Sequence, residues 1–246
     1  MNILFVHGAW HNAGCWSKLT PLLESSGISC HCLTLPGHKG REQNPFSVSM
    51  KVYSQAVCDY AEDIVKKTGE QLVLVGHSMG GLVISVAGEQ MPHLFKRLIY
   101  LSALVPSQAS SPLDIMKNAP NPAMRKMVSM NIFKGVMEVK KGKEKELFYH
   151  NCDDVVVNEE VNNHCPQPIR PFLARHRWSH ERLGSIPKDY IECLDDRAVL
   201  IDVQRHLQKS MTFERVVSIA GSDHSPFLSQ PEELASVMIS LLDVSS

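Results

Sequence analysis

The apolar run Leu72-Val73-Leu74-Val75 leads without a break into Gly76-His77-Ser78-Met79-Gly80-Gly81, and helical periodicity begins at Leu82. No other stretch restricts the fold as strongly. A G-x-S-x-G sequence between a strand and a helix requires a sharp turn that holds its serine in a strained backbone conformation. Small residues must flank that serine, because any side chain there would strike the neighbouring strand and helix. The turn pushes Ser78 out at a helix N-terminus. The next amide, that of Met79, is then aimed at the place where a tetrahedral oxyanion would form, and the helix dipole adds to the stabilisation.

The rest of the chain supplies the layers that such a turn needs. Apolar runs of strand length occur at Ile3–Val6, Ile28–Leu33, Leu72–Val75, Leu98–Leu101, Tyr190–Leu194 and Val216–Ala220. Between them, Trp16–Leu23, Val52–Val65, Leu82–Gln90, Val199–Leu207 and Pro231–Leu242 carry apolar residues at three- and four-residue spacing. Alternation of this kind predicts an α/β fold with a mostly parallel six-stranded sheet and helices on both faces. At 246 residues the chain has the length of one such domain, enough to bury roughly 70% of its unfolded surface.

The alternation stops between about Pro106 and Pro187. Prolines 106, 112, 120, 122, 166, 168, 171 and 187 punctuate methionine-rich pieces there, and no run reads as a strand. The expected organisation is therefore a core of residues 1–105 and 188–246 with a helical cap, 106–187, packed over the carboxyl edge of the sheet, where such folds bind ligands.

A serine hydroxyl attacks poorly at neutral pH unless a base takes its proton. His224, in Ala220-Gly221-Ser222-Asp223-His224-Ser225-Pro226 after the last strand, is the candidate base. A carboxylate to orient it is expected after the preceding strand, where Asp195 and Asp196 stand side by side; Asp196, one residue further on, can turn back under the His224 loop, and Asp195 is the fallback. Asp223 reads as a turn or capping residue. A second oxyanion donor is expected from His7-Gly8-Ala9-Trp10, with the Ala9 amide as donor and Gly8 allowing close approach; one such donor is worth ~3 kcal/mol in the transition state.

These motifs resemble those of the α/β-hydrolases of the plant methylesterase and hydroxynitrile lyase group and their bacterial esterase relatives. The likeness is strongest in Phe5-Val6-His7-Gly8-Ala9, in Gly76 to Gly81, in Leu183-Gly184-Ser185-Ile186-Pro187, in Tyr190-Ile191-Glu192-Cys193 through Asp196-Arg197-Ala198, and in Asp223-His224 followed by Ser229-Gln230-Pro231-Glu232-Glu233-Leu234. The resemblance implies a serine carboxylesterase with Ser78, His224 and Asp196 as its triad and Ala9 and Met79 as its oxyanion hole. Lyases of the group have a lysine after the catalytic histidine and a threonine after the histidine of the first loop. Here Ser225 and Gly8 stand in those places, which favours hydrolysis over cyanide release. An amide, lactone or carbon–carbon hydrolase, or a receptor with slow turnover, would use the same scaffold.

Gly8, Trp10, Phe133, Trp178 and Ser225 are the candidates for contact with an apolar ester substrate. No cofactor is expected. His176 and His180 are spaced for one helix face, but two ligands are not a metal site and flanking arginines repel a cation. Lysine and arginine number 25 against 26 acidic residues, so no broad field exists to hold nucleic acid or an anionic membrane. The seven cysteines are an odd and scattered set, expected to be reduced thiols. The N-terminal run has no basic segment before it and no stretch suits a spanning helix, so a soluble cytoplasmic protein is expected; assembly as a homodimer is left open.

Overall fold

The strands β1 (Asn2–Val6), β2 (Ser29–Leu33), β3 (Leu72–His77), β4 (Phe95–Leu101), β8 (Lys188–Cys193) and β9 (Arg215–Ile219) form one sheet in the computed structural model, in the order β2-β1-β3-β4-β8-β9. All five pairings are parallel. Residues 1–107, 114, 121–173 and 175–243 are described. Pro112, Met116 and Pro120 of the expected insert lie outside them.

β1, β3 and most of β4 are buried residue by residue, as strands covered on both faces must be, and this is why they read as continuous runs of Val, Leu and Ile rather than as alternation. The flanking layers include α1 (Thr20–Glu24), α2 (Met50–Thr68) and α3 (Gly80–Gln90). α2 starts where the Ser49 side chain accepts from the Val52 amide and stops at Gly69, whose left-handed φ of 72° ends the helix.

The connections fix where a ligand can sit. From β1 the chain turns outward to β2, whereas from β3 it turns the other way to β4. The crevice between the carboxyl ends of β1 and β3 is thus a topological switch point. Val6 pairs with Gly76 and His77 with Leu101, so the loops after β1, β3 and β4 leave the sheet side by side.

The segment between β4 and β8 is not wholly helical. Besides α4 (Pro122–Met127), α5 (Glu144–Phe148) and α6 (Asp154–Asn163) it holds β5 (Val128–Asn131), β6 (Val136–Val139) and β7 (Gln167–Pro168), a small antiparallel sheet. Strands this short do not show a period of two clearly, and Met130 and Met137 suit either structure. Gly135, at φ 68° before β6, is the hairpin signal in this stretch. The remaining helices are α7 (Ile201–Gln208), α8 (Pro226–Ser229) and α9 (Pro231–Asp243). No helix among the described residues is long and apolar enough to cross a membrane.

Candidate active site

Ser78 sits at φ 53° between β3 and α3. It is the one partly exposed residue between Leu72 and Ser85, the rest being buried. Two glycines make this exposure possible. A Cβ on Gly80 would lie 2.5 Å from the Val6 carbonyl oxygen, and one on Gly8 would lie 2.9 Å from the Ser78 Cβ. Gly8 therefore packs beneath the serine, which accounts for that position without any contact to substrate.

The two candidate oxyanion amides are oriented by the carbonyls of their own peptide groups. The Leu35 amide donates to Nε2 of His7, so the His7 ring carries its proton on Nδ1 and donates it to the Gly8 carbonyl at 2.8 Å. Because the peptide is trans, holding the Gly8 oxygen directs the Ala9 N–H the other way. Likewise the Ser78 carbonyl accepts from the Leu104 amide at 2.9 Å and the Gly81 amide at 3.1 Å, which turns the Met79 N–H away from both. Neither amide donates to an acceptor among the described residues, although both residues are buried. Buried amides without partners are costly and rare, which keeps this pair as the candidate oxyanion donors.

The next peptide is held by the neighbouring histidine. Nδ1–H of His11 donates to the Ala9 carbonyl at 2.8 Å, which leaves Nε2 to accept the Tyr149 hydroxyl at 2.6 Å. Nε2–H of His164 then donates to Tyr149 at 2.6 Å. Burial pushes His11 well below the usual histidine range, with His164 and His77 adding to it, and takes His164 to about 4. The chain of bonds is therefore neutral at ordinary pH. Trp10, at φ 65°, is pinned by its Nε1–H to the Met137 carbonyl and by the Cys165 amide on its own carbonyl.

Asp196, not Asp195, meets the histidine. His224 Nδ1 lies 2.6 Å from Asp196 Oδ2, both residues being buried. The other oxygen, Oδ1, accepts the amides of Ala198 and Val199 at 2.7 and 2.8 Å, and Ser102 Oγ also donates to Oδ2. Asp195 is exposed and pairs with His150 at 3.2 Å. Asp223 ties the turn before α8, accepting the Ser225 amide and the Ser229 hydroxyl. His224 is drawn to the nucleophile turn by His77, whose Nε2–H donates to the His224 carbonyl at 2.8 Å and whose ring lies 4.5 Å from the imidazole. Burial lowers His77 well below the usual range, so it stays neutral beside His224.

Of the expected substrate contacts, Trp10 packs against Phe148, which in turn lies 5.5 Å from the His224 ring. Ser225 is buried with its hydroxyl unpartnered. Phe133 is 90% exposed in the turn between β5 and β6 and so does not line this site. Trp178 is half-buried next to Ser179, which is hydrogen-bonded to Glu89 at the end of α3 remote from Ser78, roughly 13 Å along a helix rising 1.5 Å per residue. The residues that sequence reasoning overlooked are His7, Tyr149, His164 and Ser102, each placed by contacts remote in the chain. All seven thiols are free, and burial raises those of Cys30, Cys32, Cys58 and Cys152 to about 12, which makes them poor rivals to Ser78 as nucleophiles. Among the described residues no group of three or more His, Cys, Asp or Glu could hold a metal ion.

Known proteins share this arrangement of elements. A putative chloroplastic methylesterase, number 14, of Arabidopsis thaliana is 29% identical over 98% of this chain and 72% of its own length. The pyrethroid hydrolase of Sphingobium wenxiniae is 28% identical over 98% of this chain and 88% of its own. The crystal structure of polyneuridine aldehyde esterase, a protein known from Rauvolfia serpentina, superposes with a TM-score of 0.88 at 25% identity, covering 100% of this chain and 99% of that one. The profile of the alpha/beta hydrolase family matches residues 3–237, and the chain belongs to that family.

Proposed function

We propose that this protein is a serine carboxylesterase that hydrolyses a small, largely apolar carboxylic ester through an acyl-enzyme. The observation that carries the reading is the His224–Asp196 contact of 2.6 Å, with the His224 carbonyl bonded at 2.8 Å to His77 beside Ser78, together with two amides of buried residues that have no acceptor among the described residues. Asp196 holds Nδ1–H of His224, which leaves Nε2 to take the Ser78 proton as the hydroxyl attacks the ester carbonyl. The Ala9 and Met79 amides receive the negative charge of the tetrahedral intermediate. His224 then returns the proton to the departing alcohol and activates a water that releases the acid.

An apolar substrate is supported by the Phe148 ring beside His224 and the Trp10 ring packed on Phe148, and ester hydrolysis by the esterase and hydrolase names of the relatives. The segment between β4 and β8 serves in this reading as a cap over the site. Ser78→Ala is expected to abolish hydrolysis of p-nitrophenyl acetate while leaving the circular dichroism spectrum intact. Retained turnover in a folded variant refutes the assignment.

A further inference from the structure

The turn after β4 is strained, and the strain is applied at one residue. Ser102 has φ 40°, a left-handed conformation that a serine adopts only at a cost. The turn is held on every side. The Ser102 amide donates to the Ile191 carbonyl at 2.9 Å; the Tyr190 hydroxyl accepts the Ala103 amide and donates to the Ala103 carbonyl, both at 2.9 Å; and the Leu104 amide donates to the carbonyl of Ser78. Backbone strain persists where the surroundings over-determine it, and it clusters where a side chain must be aimed. Here the side chain is aimed at Asp196 Oδ2, the same oxygen that faces His224 Nδ1.

We infer that Ser102 is a positioning residue that sets both the orientation and the basicity of the Asp196 carboxylate, and through it the strength with which His224 holds a proton. A hydroxyl donated to Oδ2 withdraws negative charge from the oxygen that faces the imidazole. It also completes a set of four donors: two amides on Oδ1, with Ser102 and His224 on Oδ2. The carboxylate is thus fixed without being left as basic as a lone hydrogen-bonded pair would make it. The same turn reaches the Ser78 carbonyl through Leu104, so one strained loop registers the carboxylate against the nucleophile. For its kinetic consequence the inference rests on the acyl-transfer reading given for the site.

Four titratable groups that face this pair stay in one charge state across the range of the test. His77 and His11, which face His224, are held neutral by burial. Tyr190 and Cys193, which face Asp196, are pushed upward by burial and stay protonated. Asp223 is tied by the Ser225 amide, the Ser229 hydroxyl and the Asn151 amide.

The test compares Ser102→Gly and Ser102→Ala with the wild-type chain. Glycine accepts the left-handed φ freely, so it removes the hydroxyl while keeping the turn. The far-downfield proton NMR signal of His224 Nδ1–H, assigned by its loss in His224→Gln, is followed from pH 4 to 9. The titration midpoint is expected to rise in both variants by about 0.5–1 pH unit, a three- to tenfold change in the acid constant. With an aryl ester, the acid limb of the rate profile should move by the same amount, with kcat lowered and KM unchanged. An unmoved or lowered midpoint in folded S102G overturns the inference, as does a rise in KM at constant kcat. If the NMR midpoint rises while the wild-type chain cleaves no ester, the Ser102 assignment stands and the esterase reading is the one that fails.

Discussion

Tyr149→Phe isolates one oxygen atom on which two loops depend. Its hydroxyl is fully buried, donates to His11 Nε2 and accepts from His164 Nε2–H, each at 2.6 Å. Removing it leaves an imidazole lone pair and an imidazole N–H facing each other across an apolar gap walled by Phe148. Each orphaned buried group costs about 1–3 kcal/mol, so the variant should lose about 3 kcal/mol of unfolding free energy, a large share of the usual 5–15 kcal/mol. Because His11 also holds the Ala9 carbonyl, kcat should fall more than KM changes. Urea unfolding followed by tryptophan fluorescence gives the first quantity. A double-mutant cycle with His164→Phe should return a coupling of about 1 kcal/mol or more, since the two residues share one bond. A loss under about 0.5 kcal/mol together with zero coupling would show that the relay carries no weight in the fold.

Three further outcomes follow from the same geometry. Asp196→Asn should lower kcat by about four orders of magnitude through the wrong histidine tautomer, whereas exposed Asp195→Asn should stay within about threefold; equal effects in a steady-state assay would refute the choice between them. Gly80→Ala sets a Cβ 2.5 Å from the Val6 oxygen and 2.9 Å from the His7 oxygen, both backbone atoms that cannot give way. It should destabilise by on the order of 4 kcal/mol, and an unchanged thermal midpoint would contradict the packing. Stability should also depend on pH in a defined direction. His164 titrates near 6.5 when unfolded and is lowered to about 4 by burial, so the unfolded chain binds the extra proton between these values. Stability is therefore full above about pH 7 and falls by about 3 kcal/mol as the pH drops toward 4, with His7, His11 and His77 shifted the same way. Urea midpoints that stay level from pH 7 to 5 would contradict this.

The difference between what could be read in the sequence and what could not follows the range of the interactions. Strands β1, β3 and β4 were legible because a strand covered on both faces reads as an apolar run, and Leu72–Val75 or Leu98–Leu101 admits little else. The turn at Ser78 and the loop at Gly8 were legible because close backbone approach leaves its mark in contiguous small residues. Asp196 could be singled out only by counting beyond a strand end. By contrast, Phe133 and Trp178 were chosen for being large and apolar, and that property says nothing about which way a loop faces. The roles of His7, Tyr149 and Ser102 are created by partners 28, 138 and 94 positions away. No local pattern marks a residue whose meaning is a single hydrogen bond to a distant strand end.

Those long-range bonds also constrain how the site can open. The residues between β4 and β8 reach into the site loops through the Met137 carbonyl and Cys165 amide on Trp10, the Tyr149 hydroxyl on His11 and the Asn151 amide on Asp223. Swinging the whole segment away as one body would break all four, at about 1 kcal/mol for each bond and more for every group left buried and unpaired. It would also loosen the His11 ring that holds the Ala9 carbonyl. These contacts therefore hold the loops after β1 and β9 in place, and any opening of the segment has to leave Met137, Tyr149, Asn151 and Cys165 where they are.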